Sequence, residues 1–576
     1  MLSPSRESHA ASHGLRLLWL FSLLTAFFFN INQLPLFDLD EGAFSEATRE
    51  MFQRGDFLST YLNGVPRYDK PILSYWLQAL SVSLFGMNEF AFRLPSALAA
   101  SLWSLLILAF TSRIATPREG YIAAIFMAGA AGVGIIGKAA TADALLNLFL
   151  AGSLLSLYLY LTQEQLRFLI TAAVFAGLGF LTKGPVALLL PAVVSLLFCL
   201  WSGRLRLWLA MAFHPAAWLT FLAIGAPWYI LQYLREGPGF IDNFIGTHNL
   251  GRYSSAMEGH SGPWWFYLPV ILLVVFPFGP QLLRPLGEIR RLAAGDLGRF
   301  MLVWFLFVVL FFSFSATKLP HYILYGMTPL FILGGLHLRE RPGLVSVYLS
   351  LLLLILLMLV LPALIGRLLP TINDPTIAAA LTDRQALFPL DYYLVLLLLG
   401  GACLYLFTGA GRSRLGRLLI AGPVSSFLVS GFLLPLAAEI QQQPIKEAGL
   451  IAAKYDRPAV MWHLNTPSFS VYSNRIVPTR KPRAGELVLT RSRYLPRLDG
   501  YELLFSARGI SLALVTPEAL PHDATLPPGL GPSAPADGGG AHDPPGGPEP
   551  GSLPAAQPGS LPAAPSKDVG DDHPPG

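Results

Sequence analysis

Charge is what this chain has least of. Asp, Glu, Lys and Arg make up 13% of its 576 residues, against about a quarter in an ordinary soluble domain. Hydrophobic residues make up 53% and the mean hydropathy is +0.53, which excludes a string of soluble domains. The formal net charge of +5 does not point to nucleic acid, because the cations are scattered through short connections and gather on no single domain. Only two cysteines occur, Cys199 and Cys403, both inside apolar runs. A disulfide framework and a cysteine-based zinc site are therefore excluded. No glycine-rich nucleotide loop is present. The first apolar run, 15–36, exceeds the roughly 7–15 apolar residues of a signal peptide and is followed by no small-x-small cleavage site. It reads as a retained span.

What the chain has in abundance is long apolar stretches. A helix needs about 20 residues to cross a bilayer, and about thirteen stretches approach or reach that length. They are 15–36, 92–112, 120–137, 142–162, 168–183, 184–201, 206–230, 263–284, 299–315, 321–337, 343–365, 391–408 and 416–437. The fold class expected is an all-α polytopic membrane protein, with its transmembrane domain over 15–438. The division at Thr182-Lys183-Gly184-Pro185 follows from proline's effect on the preceding residue and the cost of a lysine at mid-bilayer. Alternate connections carry Arg113 and Arg118, Arg167, Arg204 and Arg206, Arg284, Arg290, Arg291 and Arg299, Arg339 and Arg341, and Arg412, Arg414 and Arg417. The positive-inside rule puts this set in the cytoplasm, with residues 1–14, and an odd number of spans then puts the C-terminus outside.

The outer connections hold the unusual residues. In the first, 37–91, Glu41 to Arg54 reads as an amphipathic helix ended by Gly55, and Pro71 to Phe85 as a second one entered through its proline. Both are expected to lie along the membrane surface. After the last span, 439–520 reads as a small α/β domain. A helix is expected over Pro444–Tyr455, with strands at Ala459–Leu464, Phe469–Tyr472, Glu486–Thr490, Tyr501–Phe505 and Ile510–Val515. The Pro/Gly/Ala-rich tail, 521–576, is too poor in large apolar residues to form a core and is expected to be disordered.

Ionisable residues near membrane depth are functional candidates. The outer side collects Asp40, Glu41, Asp69, Lys70, Lys138, Asp143, Lys183, His248, Arg252, His260, Lys318 and His321. Asp40 in LDEGAF and Asp143 in KAATADALL each open a helix, where a carboxylate also serves as a cap. As a pair at one membrane face they suit orienting and deprotonating an acceptor. Taken singly, Lys70 reads as a snorkelling cation, Lys318 as a span-end anchor and Arg252 as a loop charge; together they read as contacts to a phosphate. A polyprenyl-phosphate sugar leaves behind a phosphate that is already anionic, so its departure needs positive charge more than a general acid. Asp69, His248 and His260 are possible ligands of a divalent metal, at a spacing that matches no compact zinc pattern.

The block DLDEGAFSEATREMFQRGDFLSTYLNGVPRYDKPILSYWLQALSVSLFGMNEFAFRLPSALAA resembles the first outer loop of bacterial glycosyltransferases of the aminoarabinose-transferase and protein-mannosyltransferase type, which share the GT-C fold. KAATADALLNLFL, FLTKGPVALLLP, APWYI, HNLGRY, HSGPWWFYLPV, PFGP and SATKLPHYIL are similar to later blocks in the same order. The aminoarabinose branch is the nearer likeness. The resemblance implies inverting transfer of a sugar from a polyprenyl-phosphate donor to an envelope acceptor, on the periplasmic face of a bacterial inner membrane. The sugar it implies is of the 4-amino-4-deoxy-L-arabinose type and the acceptor lipid A, with O-mannosyl-type transfer to protein or another envelope glycan as the alternative. It puts the catalytic aspartate at Asp40, its partner at Asp143, the donor-phosphate lysine at Lys70 and the tyrosine of a Lys-Leu-Pro-x-Tyr motif at Tyr322, with Asp69 and His248 implicated in metal binding. Two positions depart from the pattern: Ala43 stands where an arginine is usual, and Asp69 where the aminoarabinose enzymes carry glutamate. A lipid flippase or transporter is the reading from another class, but such proteins tend to show paired repeats, and none is visible here.

Overall fold

The computed structural model of the chain describes residues 4–244, 246, 262–338, 343–372, 374–409 and 413–517. The disordered tail expected over 521–576 lies outside the described residues. Each stretch expected to span is helical over most of its length. Among the described residues, eight helices are long and apolar enough to cross a membrane. A ninth is added if Tyr267–Val274 and Gly279–Ala294, which turn by 115° on one another, form one span. The chain is thus a multi-pass membrane protein, although fewer of its helices qualify than the about thirteen that a 20-residue criterion suggests.

The shortfall has local causes. The stretch 120–137 divides into Pro117–Ala128 and Ala131–Ile136 around Gly129, where a Cβ would come within 2.5 Å of the Gly422 Cα. The stretch 206–230 is cut in two because Pro215 opens a new helix, Pro215–Glu236. The stretch 321–337 begins as a 3-10 turn, Pro320–Gly326, before Thr328–Leu336. At Lys183 the division falls as expected: Leu166–Lys183 ends at Gly184, whose φ is +74°, and Val186–Trp201 begins two residues on.

Arginine contacts show which helix ends belong together. Arg113 donates to Gln163 at 3.2 Å and Arg204 pairs with Asp296 at 2.7 Å. Those contacts join one end of four helices: Glu89–Ile114, Asp143–Gln163, Val186–Trp201 and Asp296–Phe314. Asp143 and Lys183 meet at the opposite end, 2.6 Å apart. The arginine-rich connections and the unusual acids therefore occupy opposite ends of the bundle.

In the first outer connection, helix Asp40–Arg54 closes on Gly55 at φ +65°, the left-handed conformation that glycine adopts without penalty. A two-stranded ribbon follows, β1 (Tyr61–Leu62) and β2 (Val65–Pro66), then helix Leu73–Phe85. The first of these helices is more enclosed than a helix resting on a membrane with one wet face, since Glu41 to Met51 are all buried. Its charges tolerate this because they are paired. Arg49 makes two 2.8 Å bonds to Glu46, and Arg54 reaches Glu50 at 3.2 Å.

The C-terminal region opens with helix Gln443–Ala452, and β3 (Ala459–Met461), β4 (Leu487–Arg491), β5 (Tyr501–Ala507) and β6 (Ile510–Val515) form one sheet. Their order is β3-β4-β6-β5; β3 runs parallel to β4, and the other two pairings are antiparallel. One expected strand is wrong: Phe469–Tyr472 lies in a helix, Pro467–Ser473. Pro467 occupies its first turn and Asn474, at φ 53°, ends it, so punctuation by proline and asparagine outweighs the β-preference of Phe, Val and Tyr. The helix packs on Asp40–Arg54 and sends Phe469 into the sheet's core.

Candidate functional site

Three acids near the start of the first outer connection point three ways. Glu41 is buried and fully used: Arg93 donates to it through Nε at 2.9 Å and Nη2 at 2.7 Å, and the Phe37 and Ala140 amides donate at 2.9 and 2.6 Å. Arg93 also donates to the carbonyls of Ile31, Leu34 and Pro35. A buried carboxylate is tolerated only with this degree of pairing and hydrogen bonding, so Glu41 and Arg93 act as a clamp on segment 31–41. Asp38 is held by Ser468, whose amide donates to its carboxylate at 3.0 Å. Burial pushes the Asp38 carboxyl up to about 7. Asp40, between them, is exposed, and its carboxylate makes no hydrogen bond to another described residue.

Asp40 faces a cavity of about 230 Å³. Asp38, Glu41, Arg93, Lys138, Asp143 and His321 line it as well. Lys138 is turned to its own support, donating to the Phe29 carbonyl at 3.0 Å and the Ser430 hydroxyl at 2.5 Å.

On the far wall, Asp143 stands in the first turn of Asp143–Gln163 without making a side-chain cap. Its Oδ1 instead accepts from Lys183 Nζ and from the Tyr325 hydroxyl, each at 2.6 Å, with His321 Nε2 at 3.6 Å. Lys183 also donates to the Tyr325 oxygen at 2.8 Å and lies 5.0 Å from the centre of the Tyr322 ring. A carboxylate at a helix N-terminus and an ammonium at the C-terminus of its neighbour also suit both helix dipoles.

A second group of charges sits beside this one. Asp69 is shared by two cations: Arg67 reaches it through Nε at 2.8 Å and Nη2 at 2.9 Å, and Lys70 at 3.2 Å. Arg67 donates also to the Tyr75 hydroxyl at 3.1 Å. The charge of Asp40 acts on Arg67, and those of Asp40, Lys70, Asp143 and Lys183 all act on His321. The two groups are therefore within electrostatic reach of one another.

Of the residues singled out from the sequence, Asp40 and Asp143 share the cavity, and Lys70 stands beside it. Tyr322 lies against Lys183. Lys318 is buried and donates to the Ser315 carbonyl at 2.6 Å, at the end of Asp296–Phe314. Arg252, His248 and His260 lie outside the described residues. Among the described residues no group of three or more His, Cys, Asp or Glu is placed to hold a metal ion; Asp69 contacts Arg67 and Lys70, and the histidines that would join it as ligands are the undescribed ones.

Arg67 and Tyr325 escaped the sequence reading. Tyr325 carries no charge and sits in an apolar run, so nothing marked it. Lys183 and Asp143 were each conspicuous as charges near membrane depth, but their pairing across 40 positions was not.

Residues 69–231 match the family described as dolichyl-phosphate-mannose-protein mannosyltransferase. The chain is 33% identical over 325 residues to the undecaprenyl phosphate-alpha-4-amino-4-deoxy-L-arabinose arabinosyl transferase of Aeromonas hydrophila, covering 55% of this chain and 58% of that protein. It is 32% identical to a second such transferase from Pseudomonas fluorescens, with 52% of each chain covered. The chain thus spans little more than half the length of the curated relatives it matches. Its structure is similar to the crystal structure of ArnT from Cupriavidus metallidurans bound to undecaprenyl phosphate. The TM-score is 0.73 at 19% identity, with 88% of this chain and 99% of that one covered. The same protein in its apo state gives 0.70 at 20% identity. The GT-C fold expected from the sequence is the fold of this chain; the resemblance to the mannosyl transferases holds in sequence, and that to the aminoarabinose transferases in sequence and in fold.

Proposed function

We propose that this chain is an inverting glycosyltransferase that moves a sugar from a polyprenyl-phosphate donor to an envelope acceptor. The observation that carries the reading is the contrast between two carboxylates in one cavity. Asp143 is neutralised by Lys183 and Tyr325, while Asp40 is left open.

In the reaction, the bond between the anomeric carbon and the donor phosphate oxygen breaks, and its electron pair leaves with the polyprenyl phosphate. An acceptor oxygen forms the new bond from the opposite face. Asp40 takes the proton of an acceptor hydroxyl, or orients an acceptor phosphate that has none to lose. Lys70 and Arg67, aligned by their shared Asp69, stabilise the departing phosphate. Asp143 holds Lys183 toward the opening, and Lys318, Tyr322 and Arg252 are weaker candidates for donor contact.

The relatives' names favour undecaprenyl phosphate-alpha-4-amino-4-deoxy-L-arabinose as donor, with lipid A as acceptor. The matching family description favours the second reading, mannosyl transfer to protein. In either case the arginine-rich end of the bundle is placed in the cytoplasm of a bacterial inner-membrane protein, and the cavity and the C-terminal region in the periplasm. Purified protein offered undecaprenyl-phosphate aminoarabinose and lipid A should yield the modified lipid by mass spectrometry, and Asp40→Asn should lower that yield by at least about a hundredfold. Full transfer by a folded Asp40→Asn protein would remove Asp40 from the mechanism. Transfer to a peptide but not to lipid A would favour the second reading.

A further inference from the structure

We propose that Asp38 is a positioning residue for Asp40, and that Ser468 of the C-terminal region holds it in place. The inference rests on Asp40 having the role just proposed.

The segment carrying Asp40 is fastened from two sides. From the membrane bundle, Arg93 holds Glu41. From the C-terminal region, one short helix, Pro467–Ser473, supplies two fastenings. Ser468 gives Asp38 both its amide, at 3.0 Å to Oδ1, and its hydroxyl, to Oδ2. One turn on, the Tyr472 hydroxyl accepts from the Leu36 amide at 2.7 Å and donates to Glu89 at 3.1 Å. Glu89 is fixed in turn by Lys446 at 2.5 Å. Residues 36, 38 and 41 are thus tied down, leaving Asp40 as the acid of this segment whose carboxylate has no hydrogen-bond partner among the described residues.

The fit around Asp38 is tight enough to transmit position. Gly42 is in the first turn of the helix that Asp40 opens, and any Cβ there would collide with the Asp38 carboxylate and lie 2.7 Å from the Ser468 amide nitrogen. Asp38 is therefore wedged between Ser468 and the turn that carries Asp40. That turn is completed by the Gly42 amide donating to Phe37 at 3.2 Å and the Ala43 amide to Leu39 at 2.9 Å. A shift of Asp38 moves both bonds. Misplacing a reacting group by about an ångström can cost a hundredfold in rate.

Ser468→Ala and Asp38→Asn in the full-length protein test this, with Ser470→Ala as control. Ser470 lies on the same helix but bonds Asn63 at 2.8 Å, away from Asp40. Two readouts are taken: steady-state transfer from undecaprenyl-phosphate aminoarabinose, and hydrogen exchange of the amides at 42 and 43. The expected result is faster exchange at those amides and a kcat lower by between about tenfold and a hundredfold in Ser468→Ala and Asp38→Asn. The donor KM should stay near that of the unmodified protein, and Ser470→Ala should behave like the unmodified protein in both. Unchanged exchange at 42 and 43 in Ser468→Ala overturns the inference whether or not transfer is seen. An equal fall in kcat for Ser470→Ala overturns it too, since the effect would then be general loosening. Absence of transfer by the unmodified protein, with the exchange difference present, would instead overturn the glycosyltransferase reading and leave Asp38 as a holder of this turn.

Discussion

The Lys183 ammonium and the Asp143 carboxylate meet at 2.6 Å across two antiparallel helices that both end at the cavity. Neither side chain exposes more than about an eighth of its surface: the values are 12% and 9%. Removing one member leaves a buried charge with only hydroxyl and imidazole partners. Lys183→Met is expected to destabilise the protein by about 3–5 kcal/mol. The double variant Asp143→Asn/Lys183→Met should recover much of that loss. Thermal unfolding of the two in the same detergent measures the difference, and equal stability of the single and double variants would show that the pair is not coupled.

Asp69 aligns two cations, so its loss should be felt in donor binding. Asp69→Asn keeps the shape but weakens both ion pairs. The donor KM is expected to rise by about tenfold, equivalent to about 1.4 kcal/mol, with a smaller change in kcat. Treatment of the unmodified protein with EDTA tests the other role open to Asp69, as a metal ligand with His248. Loss of activity on chelation, restored by one divalent ion, would return Asp69 to the role of metal ligand.

Gly42 has no room for a methyl group. Gly42→Ala forces the Asp38 carboxylate or the Ser468 backbone to move, and overpacking of that kind costs about 1–3 kcal/mol. Gly55→Ala tests a different effect: nothing lies near its Cβ position, but its φ of +65° carries a penalty of about 1 kcal/mol for alanine. Transfer should fall in the first variant and persist in the second.

Asp38 also makes stability depend on pH. Burial raises its carboxyl from 3.8 to about 7, so between those values the folded protein binds more protons there than the unfolded chain. Its contribution is therefore full below pH 4 and is lost as pH rises toward 7. Over that range the melting temperature of Asp38→Asn should fall less steeply than that of the unmodified protein. Parallel curves would count against the shift.

Much of the architecture was legible because its signals are local. Apolar length marked the helices, Gly55 ended the first outer helix, and Lys183-Gly184-Pro185 separated two spans. The breaks at Gly129 and Pro215 were harder, since an apolar run gives no sign that a neighbouring backbone comes close. At 469–472 the β-branched and aromatic residues suggested a strand, and a single proline and asparagine overruled them. In the site, Asp40, Asp143 and Lys70 stood out as charges in an apolar chain. Which acid is open and which is clamped was not legible, because Arg93, Lys183, Tyr325 and Ser468 reach them from distant segments.

The bond between Asp38 and Ser468 spans 430 positions of the chain. A nascent chain emerges with its N-terminal portion first, so the first outer loop is made long before its holder. Every transmembrane segment after it is made before Ser468 can engage. An immature molecule therefore carries the acids of the cavity without the arrangement that aims them. On the function proposed, competence to move sugar is acquired late, when the helix that carries Ser468 arrives, and not gradually with each added span.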